Sequence, residues 1–199
     1  MLLPDIVTLS GSTRTGSFNA ALAAHIARRL DALGASAEAL SLKDFPMPIY
    51  DGDLEQAEGV PETALALKRR IGAADGVVLV TPEYNAGIPP LLKNAIDWVS
   101  RITEEGDAPG SVWKERPTLL GAASPGALGG IRALLQLRET MEVGLGAFVA
   151  PSWIMLPGAG GAFAEDGTLK PGRSADLMEA ALAQFLRLVE AGSGLRTPR

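Results

Sequence analysis

The sequence predicts a doubly wound α/β fold: a five-stranded parallel sheet with helices on both faces. Two observations carry that reading. Short runs rich in Val, Ile and Leu alternate with longer segments whose apolar residues recur every three or four positions. Several of the short runs are apolar almost throughout, as strands buried on both faces are. Alternation of this kind implies parallel strands joined by crossover helices.

The strand-like runs lie at residues 5–10, 37–42, 76–81, 118–124 and 147–156. Between the first two, Phe18, Leu22, Ile26, Leu30 and Leu33 recur at helical spacing and stop at Gly34, a helix C-cap residue. A second helix begins after Pro61 and carries Leu65, Leu67 and Ile71. A third holds Leu91, Leu92, Ala95, Ile96 and Val99; a fourth runs over 128–141 and a fifth over 175–190. Five strands favour the flavodoxin-like order 2-1-3-4-5 over a six-stranded dinucleotide fold. Two stretches, 102–117 and the glycine-rich 157–172, read as irregular, and loops of that length are uncommon unless functional or mobile. No repeat or internal boundary is visible, so residues 1–191 read as one domain and 192–199 as a flexible tail.

Composition removes whole classes of chemistry. The chain has 199 residues, 47% hydrophobic and 21% charged, with no cysteine and one histidine. Disulfides, thiolate metal sites and cysteine nucleophiles are excluded, and a histidine-rich metal site is too. A net charge of −5 gives no basic footprint for nucleic acid or for an anionic membrane. No run reaches the ~18 apolar residues of a membrane-spanning helix. The first ten residues lack a basic region ahead of their apolar run, so a cytoplasmic protein is expected.

In this fold ligands bind beyond the carboxyl ends of the strands, where strand order reverses. The segments after strands one, three and four are therefore the ones to read. After strand one comes Ser10-Gly11-Ser12-Thr13-Arg14-Thr15-Gly16-Ser17-Phe18-Asn19. Glycines permit a tight turn, free N–H groups at a helix start point at an anion, and Arg14 can bond phosphate bidentately. A P-loop lysine is absent, since Ser17 follows Gly16. A terminal phosphomonoester without Mg²⁺ fits better than a nucleoside triphosphate. After strand three, Thr81-Pro82-Glu83-Tyr84-Asn85-Ala86-Gly87-Ile88-Pro89-Pro90 is stiffened by three prolines and can present main-chain groups to a flat heterocycle. After strand four, Ser124-Pro125-Gly126-Ala127-Leu128-Gly129-Gly130 lets backbone approach a ligand closely, with N–H groups able to face a developing anion. A stiff turn and close helix–sheet packing are the plain alternatives for the last two.

Together the three segments resemble the NAD(P)H-dependent FMN reductase family, which includes bacterial quinone, chromate and azo-dye reductases. Gly11, Ser12, Arg14, Gly16, Ser17 and Asn19 fit its first motif; residues 81–98, with Thr-Pro-Glu-Tyr-Asn and later Leu-Lys-Asn-Ala-Ile-Asp-Trp, fit its second. Ser124, Gly126, Gly129 and Gly130 fit its third. The resemblance implies bound FMN, with NADPH or NADH as co-substrate. It carries Ser12, Arg14, Ser17 and Asn19, with Phe18 beside them, to the phosphate end. Pro82, Glu83, Tyr84 and Asn85 go to the isoalloxazine edge, and Ser124, Gly126 and Gly129 to its far side. It implies small acceptors (quinones, azo compounds, metal oxyanions or free flavin) and a homodimer or homotetramer with the helix at 91–101 as the contact. Ala86-Gly87 and Pro90 depart from the family's usual residues, and the chain after Ala150 matches weakly.

Since the cofactor carries the redox chemistry, no side chain is expected to act as nucleophile, base or metal ligand. His25 is assigned a surface or packing role. Asp44, Asp51 and Asp53 are read as a solvated loop, and Asp97 and Trp98 as interface residues. A flavodoxin-like electron carrier serving a partner protein is the alternative function, although carriers flank their flavin with more aromatics than these loops hold. A phosphate-ester hydrolase lacks its lysine and its nucleophile here.

Overall fold

The computed structural model describes residues 3–104, 107–114 and 116–193. Five strands form one sheet: β1 (Asp5–Ser10), β2 (Ser36–Ser41), β3 (Gly76–Val80), β4 (Pro117–Ala123) and β5 (Phe148–Leu156). Their order is β2-β1-β3-β4-β5, and every pairing is parallel. The fold class is thus the flavodoxin-like one that the sequence predicts. β3 and β4 are buried at every position, whereas β2, at an edge, is largely exposed.

Helices α1 (Phe18–Ala32) and α7 (Arg173–Ser193) cover one face of the sheet. Against them pack Ile6, Val78, Val80, Leu119 and Ile154, with Leu22, Ile26, Leu182 and Phe185 from the helices. Helices α3 (Glu62–Ala73), α4 (Pro90–Arg101) and α6 (Ile131–Glu139) cover the other, where Val77, Leu79 and Leu120 meet Leu67, Ile71, Leu92, Ile96, Leu134 and Leu137. The alternation of Val77, Val78, Leu79 and Val80 between the two cores is the period-two side-chain geometry of a strand.

Several sequence expectations change. A short helix, α2 (Gly52–Glu58), occupies the region read as a solvated loop. Asp51 is its N-cap, with Oδ1 accepting from the N–H groups of Asp53 at 2.8 Å and Leu54 at 3.3 Å. A four-residue helix, α5 (Ser111–Lys114), interrupts the stretch read as irregular. The fourth helix starts three residues later than expected and runs on into a π-helical turn, Thr140–Gly144. Residues 192 and 193 lie inside α7 rather than in a tail; residues 194–199 lie outside the described residues. Trp98 is fully buried within the chain, its Nε1 donating to Pro48 O at 2.8 Å and its ring meeting Tyr50 edge-on at 5.1 Å. It is a core residue, which removes it from any interface.

Candidate functional site

β2 and β3 flank β1 on opposite sides, so the direction of winding reverses at the carboxyl ends of β1 and β3. The segments after β1, β3 and β4 meet there.

The first segment is tied to β3 by Gly11 N, which donates to Val80 O at 2.8 Å. Ser17 caps α1: its Oγ accepts from Ala20 N at 3.3 Å, and its own N–H donates to Arg14 O at 3.1 Å. Between these ties, the main-chain N–H groups of Thr13, Arg14, Thr15 and Gly16 have no hydrogen-bond partner among the described residues, nor do those of Phe18 and Asn19 in the first turn of α1. Arg14 is exposed and folds over its own loop, its guanidinium donating to Thr15 O and Gly16 O, each at 3.1 Å. Free N–H groups, hydroxyls, one guanidinium and the positive end of a 15-residue helix make a donor set for an anion. Ser12 and Ser17 are buried in it; Phe18 is half-buried, its ring packed on the α1/α7 core.

Asn19 is turned elsewhere. β3 ends at Val80, and the last rung toward β4 is Thr81 N donating to Gly121 O at 2.8 Å. Alternation along β4 leaves the N–H and C=O of Ala123 on that same side, beyond the reach of β3. Asn19 takes both: Nδ2 donates to Ala123 O at 2.9 Å, and Oδ1 accepts from Ala123 N at 2.8 Å. Its carboxamide locks the first segment to the third.

Glu83 performs a similar tie. α6 begins after Gly130, which sits at φ +84° with its Cα against Ala122; an added Cβ would lie 2.7 Å from the Ala122 Cβ. That position takes only glycine, so the helix has no cap side chain of its own. Glu83 Oε2 supplies one from β3's loop, accepting from Arg132 N at 3.1 Å and Ala133 N at 3.4 Å, while the Arg132 guanidinium pairs with Oε1. Burial pushes the Glu83 carboxyl up, but the Arg132 side chain and the main-chain donors outweigh it and hold the pKa below the ordinary glutamate range.

The turn at Tyr84–Gly87 is closed by two main-chain bonds, Tyr84 N to Gly87 O at 2.9 Å and Gly87 N to Tyr84 O at 3.0 Å. Both central residues are left-handed, Asn85 at φ +50° and Ala86 at φ +66°. Asparagine tolerates this region; alanine is held there at a cost. The Tyr84 ring is half exposed. In the third segment, Ser124 Oγ accepts from Gly126 N at 3.2 Å, and the following chain folds back, with Gly158 N donating to Gly126 O at 3.3 Å. Gly129 is buried beside Pro157.

The structure therefore brings Ser12, Arg14, Ser17, Phe18, Asn19, Pro82, Glu83, Tyr84, Asn85, Ser124, Gly126 and Gly129 to one end of the sheet. Among them, the side chains of Asn19 and Glu83 are committed to holding the segments together. Sequence reading missed Gln136, whose Oε1 accepts from Ile88 N at 2.6 Å. Its only local signal is a polar residue one turn after Arg132, a spacing ordinary on any helix surface. His25 lies in α1 away from this end, buried, with Nδ1 unpartnered, as a packing residue. Among the described residues no group of three or more acidic or histidine side chains could hold a metal ion.

Residues 4–161 match the family of NADPH-dependent FMN reductases. The chain is 44% identical over 139 residues to a quinone reductase of Escherichia coli K12, covering 69% of each chain. It is 33% identical over 184 residues to an NAD(P)H-dependent FMN reductase of Pseudomonas aeruginosa, covering 92% of this chain and 93% of the other. Among solved structures it resembles FerB, a flavoenzyme NAD(P)H:(acceptor) oxidoreductase from Paracoccus denitrificans, with a TM-score of 0.79 and 28% identity over 96% of this chain and 99% of the other. With the matching fold, the family match over residues 4–161 and these relatives taken together, the chain belongs to the NADPH-dependent FMN reductase family.

Proposed function

We propose that this oxidoreductase draws electrons from NAD(P)H through FMN held by the three segments and delivers them to quinone-type acceptors. The single observation that carries the placement is the row of N–H groups from Thr13 to Gly16, continued at Phe18 and Asn19, that have no partner among the described residues, on the loop over which the Arg14 guanidinium folds. Such a set suits a terminal phosphate dianion, which FMN has and FAD lacks. Ser12 and Ser17 add hydroxyls. When bound, FMN supplies the isoalloxazine that accepts hydride and releases electrons to the acceptor.

The chain's own residues bind and orient. Arg14 exchanges two loop carbonyls for the phosphate. Pro82, Tyr84 and Asn85 border the ring, with Glu83 contributing main chain while its carboxylate caps α6. Ser124, Gly126 and Gly129 form the opposite wall. Asn19 sets the distance between the phosphate end and that wall. The names of the quinone reductase relatives support the acceptor class. The helix at 91–101 is the proposed contact of a homo-oligomer: Leu91 is exposed on it, and Asn94 ties to the same helix the chain segment that carries exposed Ile49. No described helix is long and apolar enough to cross a membrane, and cytoplasmic residence is proposed.

Absorption spectra of the purified protein, before and after anaerobic NADPH, test this. A flavin spectrum that bleaches without any partner protein, and FMN released on denaturation, are expected. A colourless protein that takes up no FMN, or FAD as the released flavin, would overturn the placement. Bleaching only in the presence of a protein partner would favour an electron carrier.

A further inference from the structure

We infer that Gln136 is a positioning residue: by accepting from Ile88 N it holds the turn Tyr84–Gly87 in the conformation that borders the flavin ring. The inference rests on the flavin placement proposed above and extends it to a residue outside all three loop motifs.

The turn cannot be left to its own preferences. Asn85 and Ala86 both sit at positive φ, a region that alanine disfavours. Its two closing bonds are internal, so they do not fix the turn against the rest of the molecule. Two contacts do. Glu83 anchors the leading side to the N-terminus of α6. Gln136, one turn further along the same helix, anchors the trailing side through a 2.6 Å bond to Ile88 N, the only partner that N–H has among the described residues. The glutamine also requires Gly87. A Cβ there would lie 2.7 Å from Gln136 Oε1, so any larger residue displaces the amide from Ile88. Two residues 49 positions apart are thus matched across one contact. Because α6 begins directly after the wall that follows β4, the clamp ties both borders of the ring to one helix.

Four variants test the clamp: Gln136→Met, which keeps the length and removes the acceptor; Gly87→Ala, which breaks the same contact from the other side; their combination; and Gln136→Glu, which keeps an acceptor oxygen. In apoprotein, the Ile88 amide should exchange hydrogen faster in Gln136→Met and Gly87→Ala than in wild type. On titrating apoprotein with FMN, each should raise Kd about fivefold, the value of one neutral hydrogen bond. The visible bands of the bound flavin should move toward those of free FMN. The double variant should be no weaker than either single one, since both remove the same contact. Gln136→Glu should restore exchange, affinity and spectrum. Wild-type Kd and spectrum in Gln136→Met and Gly87→Ala, or fully additive losses, would overturn the inference. Failure of the wild-type apoprotein to bind FMN would instead overturn the flavin placement, leaving the Ile88 exchange result to decide the clamp.

Discussion

Replacing Asn19 by alanine should destabilise the protein far more than its place at the start of a surface helix suggests. Its carboxamide makes two bonds, of 2.9 and 2.8 Å, to the main chain of Ala123, and the two residues are 4% and 3% exposed. Each bond contributes about 1 kcal/mol net, and each main-chain group left buried without a partner costs about 1–3 kcal/mol. Partial access of water to the truncated side reduces the second contribution, so a loss of about 3 kcal/mol is expected. With a denaturant slope of roughly 2–3 kcal/mol/M in urea, the unfolding midpoint should fall by about 1 M. Ser17→Ala, which removes a single cap bond from the same turn, sets the scale at about 1 kcal/mol. Urea unfolding of the apoproteins, followed by circular dichroism, measures both. A midpoint shift for Asn19→Ala no larger than that of Ser17→Ala would refute the reasoning, because the Ala123 groups would then have found other partners.

Arg14→Ala should weaken FMN binding by about 10–100-fold, the range for a hydrogen bond to a charged group, while leaving the urea midpoint unchanged because the residue is exposed; equal FMN affinity in a fluorescence titration would place the phosphate elsewhere. His25 yields a prediction about pH. Burial, then the charges of Arg28 and Arg29, lower its pKa, and Glu179 and Asp166 oppose them without reversing the shift. The folded state therefore holds the imidazole neutral while the unfolded chain protonates normally. Stability should be full above about pH 6.5 and decline as pH falls toward the lower folded-state value. His25→Gln should remove that slope from the urea midpoints between about pH 5 and 7 and leave NADPH turnover near wild type. An unchanged slope would assign it to other groups, and a large loss of turnover with FMN still bound would give the histidine a chemical role.

What the sequence determined by itself was the frame and the chemistry offered at its end. Continuous apolar runs fixed β3 and β4 as interior strands, and the 3.6-residue spacing from Phe18 to Leu33 placed α1 to within a residue of its observed end. Both are local patterns, decided by which side chains leave water, and alternation then dictated a parallel sheet. The glycines, hydroxyls and Arg14 after β1 were legible as a set of hydrogen-bond donors for the same reason: donor type and position after a strand are written in consecutive residues. Tertiary structure alone decided what Asn19, Glu83 and Gln136 do. Their partners, Ala123, the start of α6 and Ile88, lie 48 to 104 positions away. Those pairings exist because β3 stops short of β4 and because Gly130 leaves α6 uncapped, two consequences of strand register and close packing. Composition could show that Trp98 was aromatic and Asp51 acidic. Only the packing of the chain at residues 48–54 turned the first into core and the second into a helix cap, since burial and capping depend on neighbours that the local sequence does not contain.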